Sequence, residues 1–279
     1  MAFKDILLTL TSYPEPTPAS VVEDAVSIAA TLGAHITAVS CEVHVQIPGN
    51  FLAGTITGVP GIIAGETERS RKSAKDLLVA FDAVAQRVGV LHESVVEKCL
   101  TFEVPDLLVD YARLRDLTIV PVPASNDQWY AESVIFGSGR PTLILPQAAR
   151  SRPFELGTVV VAWDFSRAAA RAVSDALPLL ERARKVRIVT VGNEKSFDAK
   201  HSAEALAKNL ARHRIDVLLD KVDANGRPIG EVLETYALSH QADVLVMGAY
   251  GHSKWREFIL GGATKSLLSK PPLPILFSY

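Results

Sequence analysis

The sequence predicts an α/β protein built from two tandem parallel sheets, each open, five-stranded and covered by helices on both faces. Three observations support this fold class. Short apolar runs alternate with segments of helical period, which is typical of parallel strands joined by crossover helices. A chain of 279 residues is long for one core and comfortable for two. A helix-and-strand pattern of the first half also returns in the second, at a distance too long for a solenoid unit.

The repeat is clearest around two tyrosines. The segment PDLLVDYA at 105–112 corresponds to GEVLETYA at 230–237, so that Tyr111 and Tyr236 hold the same place in the two copies. Each copy has apolar residues at i, i+1, i+4 and i+5, the period of an amphipathic helix, and each is followed by an apolar strand. We therefore predict two domains, at 1–147 and 157–279, with a linker between them that contains proline and several arginines.

The second domain reads as a regular alternation of strand and helix. We predict strands at 158–163, 186–191, 215–221, 243–247 and 274–278, separated by helices at 166–184, 199–213, 229–239 and 262–269. Pro178 falls inside the first of these helices, where we expect a kink because proline removes a backbone hydrogen bond.

The first domain follows the same plan, beginning with a strand at 6–10, but differs in two places. A stretch of glycine, proline and apolar residues at 45–65 precedes its second helix. Its last helix is expected to be almost absent, because the segment 136–140 leads directly into Pro141. The two domains end alike, with strands at 143–145 and 275–277.

Composition narrows the class of protein. Charged residues make up 22% of the chain and the net charge is -2, which gives no electrostatic reason to expect nucleic acid or an anionic membrane as a partner. No apolar run reaches the length of a membrane span, and the first residues lack the pattern of a signal peptide, so we expect a cytoplasmic protein. Cys41 and Cys99 form no Cys-x-x-Cys motif and are interpreted as buried, reduced side chains.

The most informative motif is a glycine-rich loop near the C-terminus. The apolar strand at 244–247 runs into Gly248 and Gly251, and nine residues later Gly261 and Gly262 open a helical segment. A helix start offers unpaired N–H groups and a positive dipole end, both of which suit a phosphate. Glycine lets the backbone approach an anion closely. No Gly-Lys-Ser/Thr follows, so this is not a Walker loop.

Together with the sequence Ala-Trp-Asp-Phe-Ser at 162–166, this loop resembles the universal stress protein family, and the whole chain resembles a tandem pair of its domains. The resemblance implies an adenine-nucleotide α-hydrolase-like fold and a site for ATP with Mg²⁺. It further implies that the terminal strands at 143–145 and 275–277 pair across the domain interface, which satisfies two sheet edges within one chain. It also implies that Gly248 lies near the ribose, that Gly251 and Gly261 frame the phosphates, that Asp164 binds the nucleoside and that the backbone at Val191 meets the adenine.

These positions also agree with the rule that ligands sit beyond the carboxyl ends of parallel strands, at a switch in strand order. The predicted nucleotide-binding set comprises Ala162, Asp164, Val191, Met247, Gly248, Gly251, His252, Gly261, Gly262, Ala263 and Thr264.

Both halves depart from the family pattern. In the second half Gly262 stands where the family has a hydroxyl residue, and Thr264 follows two positions later; the backbone cradle can survive this change. In the first half no aspartate follows the first strand, and Pro121-Val122-Pro123-Ala124-Ser125-Asn126 replaces the glycine loop, with Asp127-Gln128-Trp129-Tyr130 in place of the linker. Because proline removes backbone donors, we predict that the first half does not bind ATP in the family manner.

We therefore expect a stress-response protein that binds an adenine nucleotide in its second domain and acts as a ligand-linked regulator read by a protein partner. No catalytic residue is assigned, and slow ATP hydrolysis is the most that is expected. One alternative is a nucleotide-free interaction protein that binds a partner or a small apolar ligand through the segment 45–65. The other is an enzyme that adenylates a substrate or carries a flavin. A homodimer is compatible with all three interpretations.

Overall fold

A computed structural model describes residues 2–44, 59–122, 129–147, 154–192, 203–249 and 262–279. In these residues ten strands alternate with eight helices. The first half contains β1 (Asp5–Leu10), α1 (Ala19–Leu32), β2 (His35–His44), α2 (Val59–Val88), β3 (His92–Leu100), α3 (Val104–Arg113), β4 (Leu117–Val122), α4 (Trp129–Gly137) and β5 (Thr142–Pro146). The second contains β6 (Thr158–Ala162), α5 (Arg167–Leu180), β7 (Lys185–Gly192), α6 (Ala203–Arg212), β8 (Val217–Asp223), α7 (Ile229–Ser239), β9 (Val244–Gly248), α8 (Gly262–Ser269) and β10 (Ile275–Ser278).

The described strands form one sheet in the order β3-β2-β1-β4-β5-β10-β9-β6-β7-β8. Each half contributes five parallel strands with its first strand in the middle, and β5 and β10 join the two halves in an antiparallel pair. The predicted α/β fold class is confirmed, and so is the pairing of the two terminal strands.

The apolar strands are buried because helices cover both faces of the sheet. Successive residues point to opposite faces, so Ile6 and Leu8 pack into one core cluster and Leu7 into the other. All three side chains are fully buried. A parallel strand that is enclosed on both sides therefore reads as a continuous apolar run, as β1 and β6 do.

The register of the strands shows which residues occupy equivalent positions in the two halves. In the first half Ile6 pairs with Leu117, and in the second Val159 pairs with Val244. On this register Asp116 corresponds to Asp243, and the two aspartates make the same contacts.

Each of these aspartates caps the start of the first strand of its half. Oδ2 of Asp116 accepts hydrogen bonds from the backbone N–H groups of Lys4 and Asp5, at 2.8 and 3.1 Å. Oδ2 of Asp243 accepts from Gly157 and Thr158, both at 2.9 Å. This agreement supports the predicted repeat.

Three expectations about the helices of the first half are wrong in part. The last helix of the first half is present as α4, where Ala131, Val134 and Ile135 are buried at helical spacing. The segment Trp129–Tyr130 therefore begins a helix instead of replacing a linker. The second helix begins at Val59, inside the stretch that was expected to precede it. Residues 45–58, 123–128 and 148–153 lie outside the described residues.

Pro178 lies within the last turn of α5, which ends at Leu180 and not at 184 as predicted. Proline offers no N–H to the preceding turn, so a position close to the end of the helix limits the loss of hydrogen bonds.

Candidate functional site

The predicted nucleotide site falls at the carboxyl edge of the second half of the sheet. Ala162 is the last residue of β6, Val191 lies one residue before the end of β7, and Gly248 is the last residue of β9. Since β6 is flanked by β7 and β9, these strand ends surround the point where the strand order reverses.

The first turn of α8 lies at the same edge. Helices α7 and α8 each follow the carboxyl end of a strand, and their first turns pack together. A Cβ on Gly230 in α7 would lie 3.2 Å from the Cβ of Ser266 and 3.4 Å from the Cα of Ala263 in α8. The described part of the predicted set is thus brought to one edge of the sheet.

Asp164 follows β6 and organises the start of α5. Its Oδ1 accepts a hydrogen bond from the backbone N–H of Ser166 at 3.0 Å, and Oγ of Ser166 accepts from the N–H of Ala169 at 3.0 Å. Phe165 between them has a φ of 61°, in the left-handed region. The carboxylate is partly exposed, so its role at the helix start is compatible with a ligand contact.

Gly248 has a packing reason to be glycine that the sequence did not reveal. A Cβ at this position would lie 2.4 Å from the carbonyl carbon of Ala168 and 2.6 Å from the backbone nitrogen of Ala169. The end of β9 therefore contacts the backbone of the first turn of α5 directly. This glycine is required by the protein itself, whatever ligand lies nearby.

The first turn of α8 combines an open position and a closed one. Gly262 is exposed, and no atom of the described residues lies within 4 Å of where its Cβ would be. Thr264 is 3% exposed, so its side chain is enclosed by protein. A side chain at position 262 would reach open space beside the helix N-terminus, whereas the hydroxyl of Thr264 does not replace the missing one at the surface.

The remaining predicted residues divide into two groups. Met247 is 6% exposed and packs in the core, so only its backbone is available to a ligand, while Ala263 is half-buried. Gly251, His252 and Gly261 lie outside the described residues.

A tyrosine on the third helix of each half contacts the edge strand of that half. The hydroxyl of Tyr111 donates to Glu97 Oε1 at 2.5 Å, and the hydroxyl of Tyr236 donates to Asp220 Oδ2 at 2.5 Å. The bond to Glu97, with burial, raises the pKa of Tyr111 to about 12. Burial and the bond to Asp220 raise the pKa of Tyr236 further. These side chains fix α3 and α7 to the sheet.

Cys41 and Cys99 are free and buried, as expected. Their thiols contact each other across β2 and β3. A hydrogen bond to Cys99, with burial, raises the pKa of Cys41, so this thiol stays protonated at neutral pH.

In the described parts of the chain no cluster of three metal-ligating side chains occurs. None of the described helices is long and apolar enough to cross a bilayer.

Sequence reasoning missed a cavity of about 510 Å³ at the carboxyl edge of the first half. Thr11, Cys41 and Pro121 line this cavity. One feature of the sequence could have indicated this cavity, namely the long segment between β1 and α1 at residues 11–18. The corresponding segment between β6 and α5 is shorter and spans only residues 163–166.

Comparison with known proteins agrees with the fold. Residues 155–277 match the model of the universal stress protein family. A crystal structure of a universal stress protein from Archaeoglobus fulgidus DSM 4304 is similar with a TM-score of 0.71 and 14% sequence identity, over 98% of this chain and 97% of that chain. A Pseudomonas aeruginosa UCBPP-PA14 structure described as a universal stress protein is similar with a TM-score of 0.56 and 13% identity, over 99% and 93% of the two chains.

No curated protein sequence matches the chain. At these identities the structural similarity establishes the fold. Residues 155–277 thus match the universal stress protein family, and over nearly its whole length the chain shares the fold of these two universal stress proteins.

Proposed function

We propose that the second half of the chain binds an adenine nucleotide at the carboxyl edge of β6, β7 and β9, and that a protein partner reads the bound state. The observation that carries this proposal is the meeting of these three strand ends with the first turns of α5 and α8 at the switch in strand order. This is the place where open parallel sheets bind nucleotides.

Each part of the nucleotide has a matching group. The backbone at Val191 offers hydrogen-bonding groups to the base, and the Asp164 carboxylate is an acceptor for a ribose hydroxyl. The N–H groups of the first turn of α8 suit the phosphates, and Gly262 leaves the approach to them open.

The predicted site would hold Mg²⁺ only together with the phosphates of a bound nucleotide. Asp164 is the one carboxylate of the predicted site, and Mg²⁺ is commonly held by one or two carboxylates together with substrate phosphates. Its oxygen already accepts from the N–H of Ser166, which favours a positioning role over that of a general base. We therefore propose a binding protein and assign no turnover to it.

Binding would act by linkage. A nucleotide that binds the folded state alone stabilises it, and it favours whichever arrangement of the site it contacts best. A partner that recognises that arrangement then responds to the nucleotide concentration.

Substitutions at Gly262 test the proposal, because this position is exposed and has room for a side chain. Gly262→Ser restores a hydroxyl beside the phosphates and should tighten the binding of Mg-ATP. Gly262→Glu places a negative charge at a helix N-terminus, which favours the helix but repels phosphate. Gly262→Gln is its uncharged match.

In calorimetric titrations with Mg-ATP, we expect the Gly262→Ser variant to bind most tightly, the Gly262→Gln variant less tightly and the Gly262→Glu variant least tightly. Thermal unfolding without ligand controls for the fold. If the Glu and Gln variants bind Mg-ATP equally tightly, the phosphates do not lie at the start of α8 and the site assignment fails.

A further inference from the structure

The cavity of the first half occupies the place that corresponds to the proposed nucleotide site. On the register of the two halves, Thr11 corresponds to Asp164, Cys41 to Val191 and Pro121 to Gly248. The first member of each pair lines the cavity of about 510 Å³. The carboxyl edge of the sheet therefore carries a cavity in the first half. None of the three residue types Asp164, Val191 and Gly248 of the proposed nucleotide site is present at the corresponding positions there.

The cavity follows from two changes in sequence. At Gly248 the second half has no room for a Cβ, because β9 contacts the backbone of α5. The first half has a proline ring at this position and a longer segment between β1 and α1. Helix α1 does not pack against β4 as α5 packs against β9, and the strand ends remain open.

The inner wall of the cavity is apolar. Its buried aliphatic side chains come from β1, β2, β4 and α3, and they are Leu10, Val43, Val104, Leu108, Val120 and Val122. The volume lies within the range of roughly 300–1,000 Å³ that is typical of small-molecule sites.

The buried polar groups beside this wall satisfy one another. The N–H of Val43 donates to Ser70 Oγ at 2.9 Å, Ser70 and Ser12 share a hydrogen bond of 2.9 Å, and Ser12 Oγ donates to the Cys41 carbonyl at 2.5 Å. Among Ser70 and the described lining residues, no buried side-chain nitrogen or oxygen is left without a hydrogen bond, so none of them requires a polar ligand.

The charges of the lining disfavour an anion. Among the described lining residues Glu15 is the one charged side chain, and it is exposed. No residue of α1 is among the described lining residues of the cavity. Among the described lining residues, a nucleotide phosphate would meet a carboxylate and no positively charged side chain.

We infer that this cavity binds a neutral, largely apolar ring compound of small-molecule size. The rings of Tyr13 and Tyr130 line the cavity and suit an aromatic or alicyclic ligand. Partly or fully exposed polar side chains, Thr11, Glu15 and Gln147, provide hydrogen bonds for a single polar group of the ligand at the mouth. The first half thus has a ligand class of its own, different from that of the second.

The test uses N-phenyl-1-naphthylamine, a neutral aromatic probe whose fluorescence rises in apolar surroundings, with the full chain. We expect saturable binding at about one site per chain, in the apolar cavity of the first half. Val104→Trp fills the cavity from the first residue of α3 and should weaken the binding of the probe at least about tenfold. Ile229→Trp is the matched control, since Ile229 holds the corresponding place in α7 and should leave the binding of the probe unchanged.

Ala131→Leu, which fills the cavity from α4, provides an independent variant if Val104→Trp does not fold. Thermal unfolding verifies each variant. The inference is overturned if a folded cavity-filling variant binds the probe as tightly as the native chain, or if Mg-ATP displaces the probe. Displacement would place the probe in the nucleotide site, whereas failure of Mg-ATP to bind at all would count against the proposed function alone.

Discussion

Leu143 of β5 and Leu276 of β10 are register partners at the centre of the antiparallel pairing that joins the two halves. To one side of them Ile144 lies opposite Ile275, and to the other Thr142 lies opposite Phe277. By strand register, Leu143 holds the position in the first half that Leu276 holds in the second. Equivalent residues of the two halves therefore pair with each other at this junction, as residues do across a two-fold axis. The carboxyl edges of the two halves therefore face opposite ends of the sheet.

This geometry predicts that the two proposed ligands bind independently. Mg-ATP at the edge of β9 and N-phenyl-1-naphthylamine at the edge of β4 share no described lining residue. Titration of the probe with and without saturating Mg-ATP should give the same dissociation constant, which means no coupling free energy between the sites. A shared site would show as a probe affinity that falls steadily with the ATP concentration.

Gly248→Ala should destabilise the fold strongly. The added Cβ would meet backbone atoms of α5, which cannot rotate away as a side chain can, and overpacking of this kind costs about 1–3 kcal/mol or more. Urea denaturation measures the change in the free energy of unfolding. Gly262→Ala is the matched control, since its Cβ meets open space and helix propensity favours alanine. Equal stability of both variants would show that β9 and α5 are not in close contact.

Asp243→Ala should cost more stability than Asp116→Ala. Each substitution removes the acceptor of two backbone N–H groups, but Asp243 is 1% exposed and Asp116 is only partly buried. Unsatisfied donors in the interior cost about 1–3 kcal/mol each, whereas water replaces the partner at a more exposed site. Urea denaturation of the two variants compares them directly, and a larger loss for Asp116→Ala would contradict the difference in burial.

The tyrosine contacts predict a loss of stability in alkali. The pKa of Tyr111 is about 12 in the folded chain. In the unfolded chain it is about 10. The folded state favours the protonated hydroxyl, so Tyr111 contributes to the free energy of unfolding. This contribution is complete below about pH 10 and is lost as the pH rises through about 12.

Tyr111→Phe should therefore reduce the dependence of unfolding free energy on pH in this window, and it should remove one late step from the tyrosine absorbance titration. Tyr236→Phe should remove a still later one, because its pKa is raised further. Unchanged titration curves in both variants would mean that neither hydroxyl is bonded to its carboxylate in solution.

Much of the fold could be predicted from local patterns. The strands of a sheet buried on both faces are continuous apolar runs, and α7 and α8 have the predicted bounds because their helical period is clear. Helix α4 was missed because the segment 136–140 leads directly into Pro141, although Ala131, Val134 and Ile135 just before it keep helical spacing.

The site was less accessible to sequence reasoning. The need for glycine at 248 depends on how closely α5 approaches β9, which no local pattern reveals. The cavity of the first half depends on the same long-range distance, set by a longer connection and by Pro121. Positions at the edge of the sheet could be predicted from the order of the elements, but the space between those elements could not.

The measurement that tests the central claim most directly is a calorimetric titration of the full chain with Mg-ATP. Saturable binding at about one site per chain is the predicted result, since the second half has the proposed phosphate-binding helix start and the first has an apolar cavity. Two sites per chain would contradict the assignment of an apolar ligand to the first half. Absence of binding would contradict the proposed nucleotide site.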